Sequence, residues 1–479
     1  MKRTLPILVV LLIAAQTSTA SAGGLYLTDR GTRPMGRGGA FVAGADDPSA
    51  LWYNPAGLAY SGNQLMVDAT YNFLSADFTR IDGGGNVLPT VSASTAPLPI
   101  PGIMYTNQFG LRDWTFGLGV WAPNALLLNW PQSIDVNGTP GPAPQRYSLL
   151  SMDGSLLSHI GIGAAWRANS RFSIGATFQM IVGSFQARTT LSACDRALCT
   201  QPENPEYDSV AEVRLSGIAQ PTASFGAIYD LDIVRFGASF ILGYPLSGEG
   251  EIRTRLPSAS PFDSASVDGN RGSVHLDFPM ILRLGAEFRP IRDLRVELAL
   301  VYEGWSTQDA LTITPHDVYL RNVQVVGDYQ VGPISIPRNM KDVFSVRLGG
   351  EYHTGMLGLR AGVSYENGAF DDAHLTPLTL DSDKFIASLG ASVEVAPGVF
   401  IDAVVFHTFM RNRQVRDSAV PQSNPIRPPP SDPVYVGNGD YTMEATTVGL
   451  GLRWQFARPI ARTTPDPDAR ASGQVNTGT

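Results

Sequence analysis

Cysteine and histidine are scarce in this chain. Cysteine occurs twice, as Cys194 and Cys199, and the six histidines stand singly at positions 159, 275, 316, 353, 374 and 407. A zinc site needs about four closely spaced ligands, and nucleophilic catalysis needs a base within reach of its nucleophile. Neither appears as a local motif, and a lipase-like Asn-His-Ser set, which would meet only in space, has no signature here. The reading is therefore a non-enzyme with no cofactor and no metal. Basic residues are short as well. The chain has 35 against 43 acidic ones, and without Lys2 and Arg3 the balance is 33 against 43, a net charge of −10. Nucleic acid needs a basic surface, so it is excluded as a partner. Long apolar runs are missing apart from one. The Gly-rich "GRGG" at 36–39 follows no strand, so it does not read as a phosphate or dinucleotide loop.

The one apolar run, "LPILVVLLIAA", follows Lys2 and Arg3 and precedes Ala20-Ser21-Ala22. It is too short to anchor in a membrane and has the three parts of an export signal, so residues 1–22 are expected to be removed. Outside the cytosol, Cys194 and Cys199 in the polar stretch "SACDRALCTQPE" are expected to form a loop-stapling disulfide.

What the chain does have is alternation. In "DLRVELALVYEGW", Leu294, Val296, Leu298, Leu300 and Tyr302 share one face, and Arg295, Glu297, Ala299, Val301 and Glu303 share the other. "VFSVRLGGEY", "GLRAGVSYE" and "TTVGLGLRWQF" repeat the pattern, as strands with one apolar face do. Short turns at 110–112, 169–171, 230–232, 289–293, 355–357 and 396–398 alternate with long loops near 82–96, 123–147, 191–208, 247–271, 307–341, 368–383 and 412–439. Six short turns and seven long loops join fourteen strands. A soluble sandwich also alternates, but its loops need not alternate in length. An even strand number, with short turns on one side, is the pattern of an all-β, antiparallel transmembrane barrel. Aromatics recur near strand ends (Tyr71, Phe73, Trp114, Trp166, Phe288, Trp305, Tyr352, Phe406, Trp454, Phe456) as interface girdles. The last strand ends on an aromatic, resembling the signal read by barrel-assembly machinery. The barrel is expected over 61–456 and a disordered periplasmic tail over 457–479.

Residues 23–60 do not fit this pattern. The stretch "GRGGAFVAGADDPSALWYNPAGLA" resembles the N-terminal plug of the FadL-type (OMPP1/FadL/TodX) family, outer-membrane transporters of long-chain fatty acids and aromatic hydrocarbons. Asn54-Pro55-Ala56 matches that family's hallmark triplet. "DFPMILRLGAEFRPIRDLRVELALVYEGWS" and "DVFSVRLGGEYHTGMLGLRAGVSYENG" resemble its later strands. The resemblance implies a lumen closed by an N-terminal hatch, passive uptake of a hydrophobic small molecule and lateral release into the membrane. A general pore or surface barrel is the alternative. It also implies a monomer surrounded by outer-membrane lipid and lipopolysaccharide.

Arg30, Arg33, Arg37, Asp46 and Asp47 are available to pair with charges on the barrel's inner face. With Trp52 and the Asn54-Pro55-Ala56 triplet, Asp46 and Asp47 are the expected hatch residues. The inner-face charges are Arg283, Glu287, Arg295, Glu297, Glu303, Arg347, Glu351, Arg360, Glu366 and Arg453. They mix both signs, which fits ion-pair ladders better than a site selecting one ion. Leu126, Leu127, Leu128 and Trp130 stand in a long loop, where apolar residues suggest contact with hydrophobic cargo or lipid. The family's lateral opening is at its third strand. Here that strand, "LRDWTFGLGVWAPN", contains Gly117, Gly119 and Pro123, residue types that mark bends and breaks.

Overall fold

The computed structural model describes residues 29–457 apart from 96–98, 127, 153–154, 195–198 and 425–432. The export signal at 1–22, hatch residues 23–28 and the tail beyond Ala457 lie outside the described residues.

The strands form a closed antiparallel barrel of fourteen. They are β1 (Asn63–Arg80), β2 (Ile100–Asn107), β3 (Trp114–Leu126), β4 (Ser155–Arg167), β5 (Phe172–Ser192) and β6 (Asp208–Asp230). β7 (Val234–Ile241) is prolonged by Tyr244–Arg255, and β8 runs from Arg271–Phe278 into Ile281–Ile291. β9 (Leu294–Glu303) is prolonged by Ala310–His316, and β10 runs from Ile334–Pro337 into Val343–Thr354. β11 (Leu357–Glu366), β12 (Lys384–Ala396), β13 (Val399–Met410) and β14 (Gly439–Ala457) complete the wall. The last strand closes on the first along its whole length, from Asn63 opposite Ala457 to Arg80 opposite Gly439.

The polarity of the two faces is inverted relative to a soluble protein. On β9, Leu298 and Leu300 are 48% and 47% exposed, whereas Glu297 and Ala299, which alternate with them, are 0% exposed. The apolar face looks outward and the charges look into the lumen, as a barrel in lipid requires. Trp114 and Trp166 stand opposite each other and stack on the outer surface. Phe73, Phe288, Tyr352, Trp454 and Phe456 are also exposed there. Two of the expected girdle residues turn inward. Phe406 shares the lumen-facing parity of Asp402 and Val404 on β13, and packs on Met35. Trp305 follows the break at Gly304 in a 3-10 turn that carries it inside, where its Nε1 donates to Glu303 Oε2 at 2.8 Å.

Residues 29–62 fill the lumen. A short helix α1 (Thr32–Gly36) packs on β1 and β11 to β14, a 3-10 turn (Pro55–Gly57) packs on β4 to β6, and a last helical turn (Leu58–Ser61) packs on β3 to β5. Cys194 and Cys199 are joined in a disulfide, with Cα atoms 5.4 Å apart, at the long-loop end.

Candidate functional site

The segment inside the barrel is held by charges on both sides. Arg33 donates to Asp46, to Asp47 at 3.1 Å and to Glu351 of β10 at 2.8 Å. Arg37 donates to Glu287 and Glu297, on β8 and β9, at 2.9 and 3.0 Å. Glu297 also accepts from three consecutive backbone amides, Val42, Ala43 and Gly44, at 2.6, 2.9 and 2.9 Å. Such a run of amides forms an anion-binding concavity, here filled by a side chain of the wall. Arg295 reaches Asp46 at 2.5 Å, Arg347 pairs with Asp29, and Arg360 bridges Glu351 and Asp402. Each of the ten inner-face charges predicted from the alternation does face the lumen. Asp47 also accepts from the backbone N–H of Ser49 at 2.8 Å, which opens the helical turn Ala50–Tyr53.

The Asn-Pro-Ala triplet has a geometric role. Asn54 Oδ1 accepts from the Ala56 amide at 3.1 Å and starts the 3-10 turn. Its Nδ2 donates to the carbonyl oxygens of Val42 at 2.8 Å and of Ala227 on β6 at 3.3 Å. The turn lies against Gly175 and Gly226, which face each other across β5 and β6. A Cβ on Gly226 would stand 2.0 Å from Asn54 Oδ1, and one on Gly175 2.4 Å from the Pro55 carbonyl. Gly349 and Gly362 receive the Arg37 backbone in the same way. These wall glycines were not predicted, although glycine recurring at lumen parity within strands is a legible signal. Trp52 is sandwiched between the guanidinium groups of Arg30 and Arg283, 4.8 and 5.0 Å from its ring. Its edge meets Trp121 and His159.

Two cavities flank this segment. At the long-loop end lies one of about 1070 Å³ of space unfilled by atoms, mouth included, with an almost wholly apolar lining that includes Leu149, Val213, Phe262, Ile313, Ile336 and Leu378. Leu128 and Trp130 are buried, not displayed outward, and Trp130 Nε1 donates to Pro377 O at 3.3 Å. The long loops fold back over the mouth, and so their apolar residues become core. Leu127 lies outside the described residues, and so does the side chain of Leu126. Between the two segments of β10, two positions beyond Ile336, stands Arg338, which is 2% exposed. Its Nε has no hydrogen-bond partner, and among the described residues no side chain pairs with its guanidinium.

The second cavity, about 780 Å³ of space unfilled by atoms with its mouth included, has Asp29, Arg30, Asp68, Gly102, Trp121 and Phe406 among its lining residues. Among the described residues β1 pairs with β2 only as far as Thr70 opposite Ile100, and pairing resumes at Asp77 opposite Ser92. β2 pairs with β3 as far as Gly102 opposite Trp121, and contact resumes at Thr95 opposite Leu128. Gly117 and Gly119, expected at the break, sit instead in regular ladder, opposite Thr106 and Met104 on one side and Gly163 and Gly161 on the other. A Cβ on Gly117 would meet Leu51 and Leu58, so it makes room for the lumen segment. The irregularity in β3 comes later, between Trp121 and Asn124, and includes Pro123. Pro99 and Pro101, at the start of β2, have no N–H to give the ladder.

A comparison with curated proteins finds no match. Solved structures do match. The chain is similar to a Pseudomonas aeruginosa FadL homologue, with 18% identity, 91% of this chain and 100% of that one covered, and a TM-score of 0.73. It is similar to the P. putida toluene transporter TodX at 16% identity, with 90% and 99% covered and a TM-score of 0.63. The Ralstonia pickettii toluene transporter TbuX matches at 16% identity, 90% and 99% coverage and a TM-score of 0.58. At these identities the likeness shows the fold. The model of one family, described as outer membrane protein transport protein (OMPP1/FadL/TodX), matches residues 13–456. The chain therefore belongs to the OMPP1/FadL/TodX family of outer-membrane β-barrels that transport hydrophobic compounds.

Proposed function

We propose that this barrel takes up long-chain carboxylates passively. In this reading the acyl chain lies in the outer cavity, the carboxylate lies on Arg338, and release is sideways into lipid near β3. The observation that carries it is Arg338, a buried cation without a side-chain partner among the described residues, two positions along the chain from Ile336 in the lining of the apolar cavity. Burying a charge without a counter-ion costs several kcal/mol, so the group calls for an anion that enters with an apolar body. A toluene-like hydrocarbon would fill the cavity and leave the guanidinium unmatched. The general-pore alternative is disfavoured by the ion pairs that fasten residues 29–62 across the lumen. The same reading has residues 29–62 act as the hatch of a monomer in lipid and lipopolysaccharide, inserted by the barrel-assembly machinery.

The test is binding by the purified barrel of labelled palmitate and of a hydrocarbon of equal length. Arg338→Gln should weaken palmitate binding about tenfold or more, the value of one charge-assisted hydrogen bond. Hydrocarbon binding should not change. Equal palmitate binding by the variant would sink the assignment.

A further inference from the structure

The short turns at one end of the barrel carry side chains that water does not favour. Five of the six have a large apolar residue at or beside the tip: Phe109 between β2 and β3, Ile233 between β6 and β7, Ile291 between β8 and β9, Met356 between β10 and β11, and Val395 between β12 and β13. Each is more than half exposed. Turn tips in water are ordinarily Gly, Asn, Asp, Pro or Ser. A single exposed apolar residue needs no explanation, but a set of them on one rim marks a contact surface. The sixth turn, between β4 and β5, is polar, with Asn169 Oδ1 accepting from the backbone amides of Arg171 and Phe172, both at 2.8 Å.

Phe109 ties this rim to the lipid-facing wall. With Gly110 it occupies the centre of a turn closed by the Leu111 amide on the Gln108 carbonyl at 2.8 Å. The two central φ angles are 49° and 78°, a combination that favours Asn or Gly and penalises a bulky side chain. The Phe109 ring lies 6.1 Å from that of Phe116, on the exposed row of β3. The turn thus continues the apolar face of the strand beside it.

The height of the apolar band gives a second argument. Its far edge is marked by aromatics that stand opposite one another on neighbouring strands, Tyr302 with Phe344, and Tyr365 and Phe409 on either side of Phe385. A tilted strand crosses a bilayer in about 9–11 residues. Nine positions separate Tyr365 from Met356, ten separate Phe385 from Val395, and eleven separate Tyr302 from Ile291. A full crossing that starts at the aromatic row therefore ends on the turn tips themselves.

We propose that the short-turn rim is a lipid-binding surface, with its apolar tips immersed in the periplasm-side leaflet and the Asn169 turn in water. A protein partner would cover the same side chains, but the count of residues already places lipid at the tips. For a barrel that transports hydrophobic compounds, the rim as well as the wall then borders lipid. The inference does not use the carboxylate reading.

Ile233→Cys, Met356→Cys, Val395→Cys and Asn169→Cys barrels are spin-labelled with Cys194 and Cys199 left oxidised, and placed in vesicles of phosphatidylethanolamine and phosphatidylglycerol. Heat-modifiable gel mobility checks that each is folded. Collision of the label with oxygen, which concentrates in lipid, is compared with collision with a water-soluble nickel chelate. The oxygen-to-nickel ratio should be several-fold higher at 233, 356 and 395 than at 169. Tips with the same ratio as position 169 would overturn the proposal. So would tips that are open to the chelate in vesicles yet shielded from a water-soluble maleimide in cells, a result that would assign the rim to a periplasmic protein.

Discussion

Glu297 shows how one residue of the wall holds the lumen segment. It accepts from Arg37 and from the amides of Val42, Ala43 and Gly44 with all partners buried. Removing one member of a buried charged set leaves the others uncompensated, at a cost of about 3–5 kcal/mol. Glu297→Ala should therefore loosen residues 37–44 while the barrel persists, because the wall's own ladder does not use this side chain. Hydrogen exchange is the measurement. Protection at the amides of 42–44 should fall about a hundredfold or more, and strand amides should keep theirs. Unchanged protection at 42–44 would show that packing, not this carboxylate, holds the segment.

At the scale of elements, the contact between the Asn-Pro-Ala turn and the paired glycines of β5 and β6 is a fit of shapes. Gly226→Ala places a methyl group 2.0 Å from Asn54 Oδ1 in the present geometry, with the ladder behind it unable to retreat. Alanine is acceptable in a strand, so the strain falls on the turn. The expected result is a folded barrel, judged by heat-modifiable gel mobility, whose lumen segment has become open to protease from the short-turn side. Protease resistance equal to wild type would mean that the turn does not need this close approach.

For the whole molecule, fourteen strands enclose a lumen wide enough for water unless something fills it, and residues 29–62 do so. Deleting 29–61 with the export signal kept should raise single-channel conductance in planar bilayers. A correctly inserted barrel with unchanged conductance would assign the closure to the long loops instead. Much of this architecture was legible beforehand. A side-chain period of two, with Leu298 and Leu300 against Glu297 and Glu303, fixes the faces, and the alternating loop lengths fix the strand count. The lumen charges were legible for the same reason, since parity along a strand is a local property.

Partnership was not legible. Arg33 meets Glu351 across 318 positions of sequence, and only closure of the barrel brings them together. The same holds for Arg338, which meets no side-chain partner among the described residues, because nothing in the neighbours of a charged residue records what stands opposite it in space. Leu128 and Trp130 became core because the loops fold inward, which a local pattern does not encode. Gly117 and Gly119 are paired on both sides, which the sequence of β3 alone does not record, since register belongs to the relation between strands. The sequence by itself determined which side of each strand is wet and which is greasy, through a repeat two residues long. The tertiary structure decided which charges neutralise one another, because electrostatic energy depends on distances that only the closed barrel sets.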